Sequence, residues 1–284
     1  MPSLLDIRRR IRSVKNTQQL TKALKTVSAA KLRRAQDRVF SARPYAAQLK
    51  TVLGNLAARI ENVTHPLLEV RPEHRILLVV VTADRGLCGA FNANVLKTAQ
   101  AFIRDHRDET ISLCVVGRKA REFFKRRGLP IHSSFTDIFS KLDYGHGKEI
   151  SARIIEDYAN GECDAVYIIY NEFKSVIQQR LVTEKVLPFN RGELQGSPAP
   201  FDYLYEQPPQ EIFDRLLPRY VETQMFRALL ESAAAEHGAR MAAMDTATRN
   251  AGEMIDMLTL NMNRVRQAAI TREIIEVVSG AGAL

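Results

Sequence analysis

Apolar residues recur every three to four positions at both ends of the chain and form short unbroken runs in its middle, so the pattern predicts helical termini around a strand-bearing centre. From Ser3 to Arg43 no Gly or Pro interrupts a stretch rich in Ala, Leu, Lys, Arg and Gln, residues that lose little on entering a helix. Leu4, Ile7, Ile11 and Val14 share one stripe, and Leu20, Leu24 and Val27 continue a stripe slightly rotated from it, as in a gently twisted helix pair. Such a helix is roughly 60 Å long, too long to be buried throughout. Arg219 to Ser279 contains no Pro, and only Gly238 and Gly252 punctuate it. Its stripe of Phe226, Leu229, Ala233, Ala243, Ala247, Met254, Leu258 and Val265 is alanine-rich enough for a neighbouring helix to approach closely. Helical patterns this long indicate a coiled coil, a membrane span or a repeat. No internal period is present and the apolar content is too low for a span, so the two termini are predicted to pair antiparallel.

In the centre, Arg75 to Thr82, Ile111 to Val116 and Ala165 to Tyr170 are β-branched runs of the kind that become buried strands. Asn94 to His106, Arg118 to Arg127 and Lys148 to Tyr158 have the length and periodicity of crossover helices, which predicts a small, mostly parallel α/β domain. The turn-forming stretch Asn190 to Pro200 leads out of it. The boundaries predicted are 1–60 for the N-terminal helix, 74–200 for the central domain and 208–284 for the C-terminal helix.

Charge changes this picture. The chain of 284 residues carries a formal +9, yet 14 Lys and Arg fall in the first 60 residues against only Asp6 and Asp37, so the remainder is slightly acidic. The basic excess lies on one helix, where it serves either as a solvated face, as a surface for an acidic partner or as a contact for nucleic acid. No aromatic residue precedes Phe40 and no zinc-finger or RRM signature accompanies the charge, which counts against nucleic acid. A membrane-surface helix lacks bulky apolar anchors opposite its lysines. The longest aliphatic run, Ile76 to Val81, is far short of the ~20 residues of a transmembrane helix. Arg8, Arg9, Arg10 and Arg12 with Ser3 and Ser13 imitate a transit peptide in composition.

Catalytic chemistry finds little support. The loop Thr82-Ala-Asp-Arg-Gly-Leu-Cys-Gly-Ala-Phe-Asn92 follows the first strand, where α/β folds bind ligands, but it matches neither a phosphate loop nor a dinucleotide fingerprint. Cys88 has no general base beside it in the sequence and reads as a small buried side chain. Cys114 and Cys163 complete an odd set with neither zinc nor disulfide spacing, which points to a reducing compartment. The six histidines form no zinc pattern, and Ser197 sits in no nucleophile elbow. Neither a catalytic residue nor a metal or cofactor site is predicted.

Four separated stretches carry a family likeness. Ile7-Arg-Arg-Arg-Ile-Arg-Ser-Val-Lys-Asn-Thr-Gln18, with Thr21-Lys-Ala23 and Ala29 to Gln36, resembles the F-type ATP synthase gamma subunit. So do Thr82 to Asn92, Asp202-Tyr-Leu-Tyr-Glu206, and Asn263 to Glu276 followed by Ser279-Gly-Ala281. The likeness spans the chain and weakens from about Ile111 to Gln195. Leu24, Ala83 and Gly282 depart from the family's usual methionine, serine and alanine. Because the likeness begins by Ile7, a bacterial chain is expected rather than an organellar precursor. The cysteine-pair insertion of the chloroplast form is missing, so thiol regulation of that kind is not expected.

The resemblance implies an antiparallel coiled coil beside a central Rossmann-like domain, turning inside a ring of alpha and beta subunits and coupling proton-driven rotation of a membrane c-ring to catalysis on beta. It implies that Lys22, Lys25, Arg240, Gln267, Thr271 and Glu273 contact beta, and that Arg43, Tyr203, Tyr205 and Glu206 meet the c-ring. The α/β domain is expected to engage the epsilon subunit. ATP, ADP and magnesium belong to partner subunits, and the chain is expected to lie peripherally at the cytoplasmic face of the inner membrane. The alternatives are a non-motor coiled-coil scaffold and a nucleic-acid binder.

Overall fold

The computed structural model describes residues 3–60, 65–176, 178–189 and 206–281. The elements are α1 (Leu4–Arg59), β1 (Arg75–Val81), α2 (Phe91–Asp105), β2 (Thr110–Val116), α3 (Arg118–Arg126), β3 (Ile131–Phe135), α4 (Tyr144–Ala159), β4 (Ala165–Phe173), β5 (Gln179–Leu187) and α5 (Pro209–Ala281). They form two compact units, Met1–Ala29 with Arg240–Leu284 and Ala30–Ala239, and both terminal helices contribute to each.

In the first unit α1 and α5 run antiparallel. Thr248 Oγ1 donates to Thr21 Oγ1 at 2.8 Å, Gln18 Nε2 lies 3.5 Å from the Thr248 carbonyl, and Lys25 pairs with Asp245. As α1 advances from Gln18 to Lys25, its partners on α5 recede from Gly252 to Asp245. The predicted pairing is present, and Ile7 of the first predicted stripe is buried at 2%, but the seam departs from the stripe that was predicted to continue it. Leu20, Leu24 and Val27 face outward at 65%, 36% and 52% exposure, whereas Thr21 and Ser28 are buried at 8% and 3%. On α5, Met244 and Ala251 are buried while Met254 is exposed. A seam of small residues lets the backbones approach, and the hydroxyls find partners across it or on their own helix.

The second unit contains a five-stranded sheet of order β3-β2-β1-β4-β5, parallel except for β5 against β4. Leu77 to Val81 in β1 are each at most 2% exposed, as a central parallel strand covered on both faces requires. The two strands absent from the sequence reading, β3 and β5, are the sheet edges, and polar residues make up much of each. One sheet face packs α2 and α3 through Val95, Leu96, Ala99, Ala120 and Phe124. Gly117 joins β2 to α3 at φ +93°, where an added Cβ would lie 2.2 Å from the Thr82 carbonyl oxygen. Only glycine fits there.

Alpha-helix α4 starts on a capping box between Asp143 and His146. Its Gly147 admits α5 so closely that a Cβ would stand 2.8 Å from Cβ of Phe226. Helix α1 continues through Pro44, and α5 through Pro218. An interior proline costs about 3 kcal/mol. Burial of Val39, Ala46, Leu49, Leu53 and Leu56 on α1, and of Leu217, Val221 and Met225 on α5, offsets it.

Candidate functional site

The residues expected to meet beta lie in the helix pair, and their neighbours decide how free each is to act. Lys22 is exposed on α1. Lys25, one turn on, is committed to Asp245, whose carboxyl it holds below its ordinary pKa by hydrogen bonding and charge. Arg240 is half-buried, and Gln267, Thr271 and Glu273 are exposed on the last turns of α5. Those turns also expose Ile270, Ile274, Ile275, Val277 and Val278 at 48–72%. Ile270, Ile274 and Val277 follow a spacing of four and three, so they form one apolar stripe beside Gln267 and Thr271. A stripe of this size left in water marks a surface that another chain covers.

Arg43 has a different setting. Its Nε lies 2.8 Å from Glu231 Oε1, and its Nη2 lies 3.0 Å from Glu231 Oε2 and 2.8 Å from the Phe173 carbonyl oxygen. The Phe173 N–H donates to Glu231 Oε2 at 3.0 Å, and Asn171 N–H lies 3.4 Å from Ser232 Oγ. Arg43 therefore clamps α1 and α5 to the end of β4, and its bond to Glu231 raises its pKa further. Sequence reasoning missed Glu231, although a carboxylate inside the apolar run Leu229-Leu-Glu-Ser-Ala-Ala-Ala235 signals a buried partner. Glu206 is exposed, while Tyr203 and Tyr205 lie outside the described residues.

The loop after β1 explains in physical terms why it is a poor phosphate site. Asp84 Oδ1 accepts the N–H groups of Arg118 and Asp137, each at 2.9 Å. Arg118 opens α3, so the chain's own carboxylate takes the donor that an anion would use at a helix start. Thr82 Oγ1 accepts the next free donor, Ala120 N–H, at 2.9 Å. Asn92 closes the loop by accepting from Ala83 N–H at 2.9 Å and approaching Cys88 Sγ at 3.2 Å. Cys88 is 2% exposed, and burial pushes the thiols of Cys114 and Cys163 up to about 12.

One cluster was invisible in the sequence. His132 on β3 meets Asp157 on α4 at 2.8 Å, and Glu162 brings a third potential ligand atom within 4.8 Å of the others. Gly161, at φ +73°, turns the chain so that Glu162 N–H bonds the Asp157 carbonyl. The Arg153 guanidinium stands 3.2 Å from Asp157 Oδ1 and 3.3 Å from His132 Nε2, supplying the positive charge that a dication would bring. A small, partly open cavity beside β4 and β5, lined by Tyr170, Tyr220 and Arg227 among others, measures about 30 Å³, room for a water or two.

A family model described as ATP synthase matches residues 3–284. The ATP synthase gamma chain of Solibacter usitatus is 56% identical, covering 100% of this chain and 99% of that one. That of Pelotomaculum thermopropionicum is 50% identical with full coverage of both. In the central stalk and c-ring structure of Tetrahymena thermophila mitochondrial ATP synthase, a chain 25% identical has a TM-score of 0.63 and covers 80% of this chain and 99% of its own length. A chain of the Euglena gracilis OSCP/F1/c-ring structure, 18% identical, reaches a TM-score of 0.69 over 99% of this chain and 94% of its own, a likeness of fold alone.

Proposed function

The chain belongs to the ATP synthase gamma-chain family, and we propose that its helix pair is the part that beta subunits grip as it turns. A gamma chain is a non-catalytic subunit, the central rotor shaft of the complex, and the reaction occurs on beta. The observation that carries the proposal is the apolar stripe of Ile270, Ile274 and Val277, exposed beyond any internal need and flanked by Gln267 and Thr271.

A shaft works only through contacts whose free energy differs between the states of the surrounding subunits. An apolar stripe gives a nearly featureless bearing, since burial is non-directional. Charged and polar groups supply the angular dependence. Lys22, Lys25, Arg240 and Glu273 are assigned that role toward beta, with Gln267 and Thr271 beside the bearing. Lys25 shares its proton donors with Asp245, so its contact with an acidic beta loop competes with an internal one. At the foot, Tyr203, Tyr205 and Glu206 are assigned to the c-ring. Arg43, whose fork is occupied by Glu231 and Phe173, acts there by holding the helices in place.

No helix among the described residues is long and apolar enough to cross a membrane. We therefore assign a peripheral position at the cytoplasmic face, with attachment through the c-ring and epsilon, and with ATP, ADP and magnesium held by partners.

The test is reconstitution with alpha and beta chains, an ATPase assay, and observation of a bead fixed to the α/β unit. Unidirectional, ATP-dependent rotation is expected. Cross-linking the C-terminal helix, low on the shaft, to a beta subunit should then abolish coupled turnover. Full turnover in the locked complex would support a static scaffold instead.

A further inference from the structure

The sequence reading placed the basic excess on α1, but the structure concentrates a second one on α3. Arg118 to Arg127 contains six Lys and Arg against Glu122 alone. Arg118 is paired with Asp137 and Lys119 with Glu122. Arg121, Lys125, Arg126 and Arg127 are exposed, with no carboxylate at ion-pair distance among the described residues. Arg121 and Lys125 stand at i and i+4, a like-charge spacing that destabilises a helix. Ala120 and Phe124 are buried against the sheet, so the cations line the opposite face of the helix. The Arg127 guanidinium lies 3.7 Å from the Phe123 ring centroid, a cation–π contact.

Beside this helix is a shallow dish of about 280 Å³ lined by apolar Ile103 and Leu129 together with Gln100, Arg104 and Arg107. Arg104 is 64% exposed, and its contact to Asp105 is a marginal 3.4 Å. Cations around an apolar depression select a ligand that is anionic and carries a protruding apolar side chain.

We propose that α3 and this dish form a docking surface for an acidic protein segment, its carboxylates meeting Arg104, Arg107, Arg121 and Lys125 and one apolar side chain seated on Ile103 and Leu129. A protein segment fits better than a lipid surface for two reasons. Phe123, the apolar side chain of α3 left partly in water, packs against the core and under Arg127, so α3 offers no free apolar side chain to insert among acyl chains. The dish has room, about 280 Å³, for a single projecting side chain, a feature that a layer of headgroups would not use. This surface is separate from every residue assigned above to beta or the c-ring, so the proposal stands independently of those assignments.

The experiment measures fluorescence anisotropy of a labelled short peptide alternating glutamate with leucine, titrated with the full chain at low salt. Binding that weakens as salt rises is expected. The triple variant Arg104→Gln, Arg107→Gln, Arg121→Gln, exposed positions that leave the core untouched, should bind about tenfold more weakly. A peptide with alanine in place of leucine should also lose affinity, which reads out the dish without altering the protein. Unchanged affinity in the triple variant, or equal affinity for the alanine peptide, overturns the proposal. So does binding of the chain to vesicles containing anionic phosphatidylglycerol through these arginines when the peptide does not bind.

Discussion

Replacing Arg43 with methionine should destabilise the second unit strongly. The substitution keeps the aliphatic stem and deletes two bonds to Glu231 and one to the Phe173 carbonyl. What remains is a carboxylate whose side chain is 3% exposed with, among the described residues, the Phe173 N–H as its remaining partner. Stranding one member of a buried ion pair costs about 3–5 kcal/mol. Because the Arg43 side chain is itself 36% exposed, water can reach part of the site, so a loss of about 2–3 kcal/mol is expected. For a unit of this size that corresponds to a fall in melting temperature of about 4–12 °C. The assay is thermal unfolding combined with hydrogen exchange at the Phe173 amide, which should accelerate as the end of β4 loosens. Glu231→Leu and the double variant close a thermodynamic cycle. Additive losses, with a coupling below about 0.5 kcal/mol, would refute the clamp. An Arg43→Met chain of normal stability that no longer couples in the assembled complex would instead identify Arg43 as a direct contact.

Asp84→Ala should free the N–H groups of Arg118 and Asp137, costing about 1–3 kcal/mol; added phosphate should restore part of the loss, and a thermal shift with phosphate equal to that of the parent chain would count against an anion-mimicking carboxylate. Asp164 is held below its ordinary pKa, first by its side-chain bond to Arg75. Its stabilisation is therefore fully present above the unfolded pKa of about 3.9 and is lost as pH falls through the lower folded value. Asp164→Asn should flatten the acid limb of a melting-temperature profile, and an unchanged limb would show that other carboxylates govern it. Cys88, Cys114 and Cys163 are buried, and the last two thiols are raised to about 12, so a thiol reagent at pH 8 should label the folded chain slowly and the denatured chain fully. Rapid labelling of the folded chain would contradict that burial.

Much of this architecture was legible because some interactions depend on neighbours close in sequence. The helical termini, with long stretches almost free of Gly and Pro, and the run Ile76 to Val81 announce themselves, since helix propensity is local and a strand covered on both faces must be apolar throughout. The edges β3 and β5 escaped notice because each is half in water and carries too many polar residues to read as a buried run, so they become strands only when a neighbour supplies their hydrogen bonds. The seam of the helix pair was read in place at Ile7 and one position away farther along, at Leu20 and Val27. Hydrophobicity pointed to Leu20, Leu24 and Val27, while close backbone approach selected Thr21 and Ser28, and the leucines were left facing outward.

What the sequence determined by itself is the division into helical termini and an α/β centre, the membership in a family, and the basic character of α1. Only tertiary structure decided that Asp84 fills its own anion site, that Glu231 finds Arg43 across 188 positions of chain, and that the cations of α3 gather beside an apolar dish. Charges and hydrogen bonds act over a few ångströms of space, and which residues share those ångströms is settled by packing rather than by order along the chain.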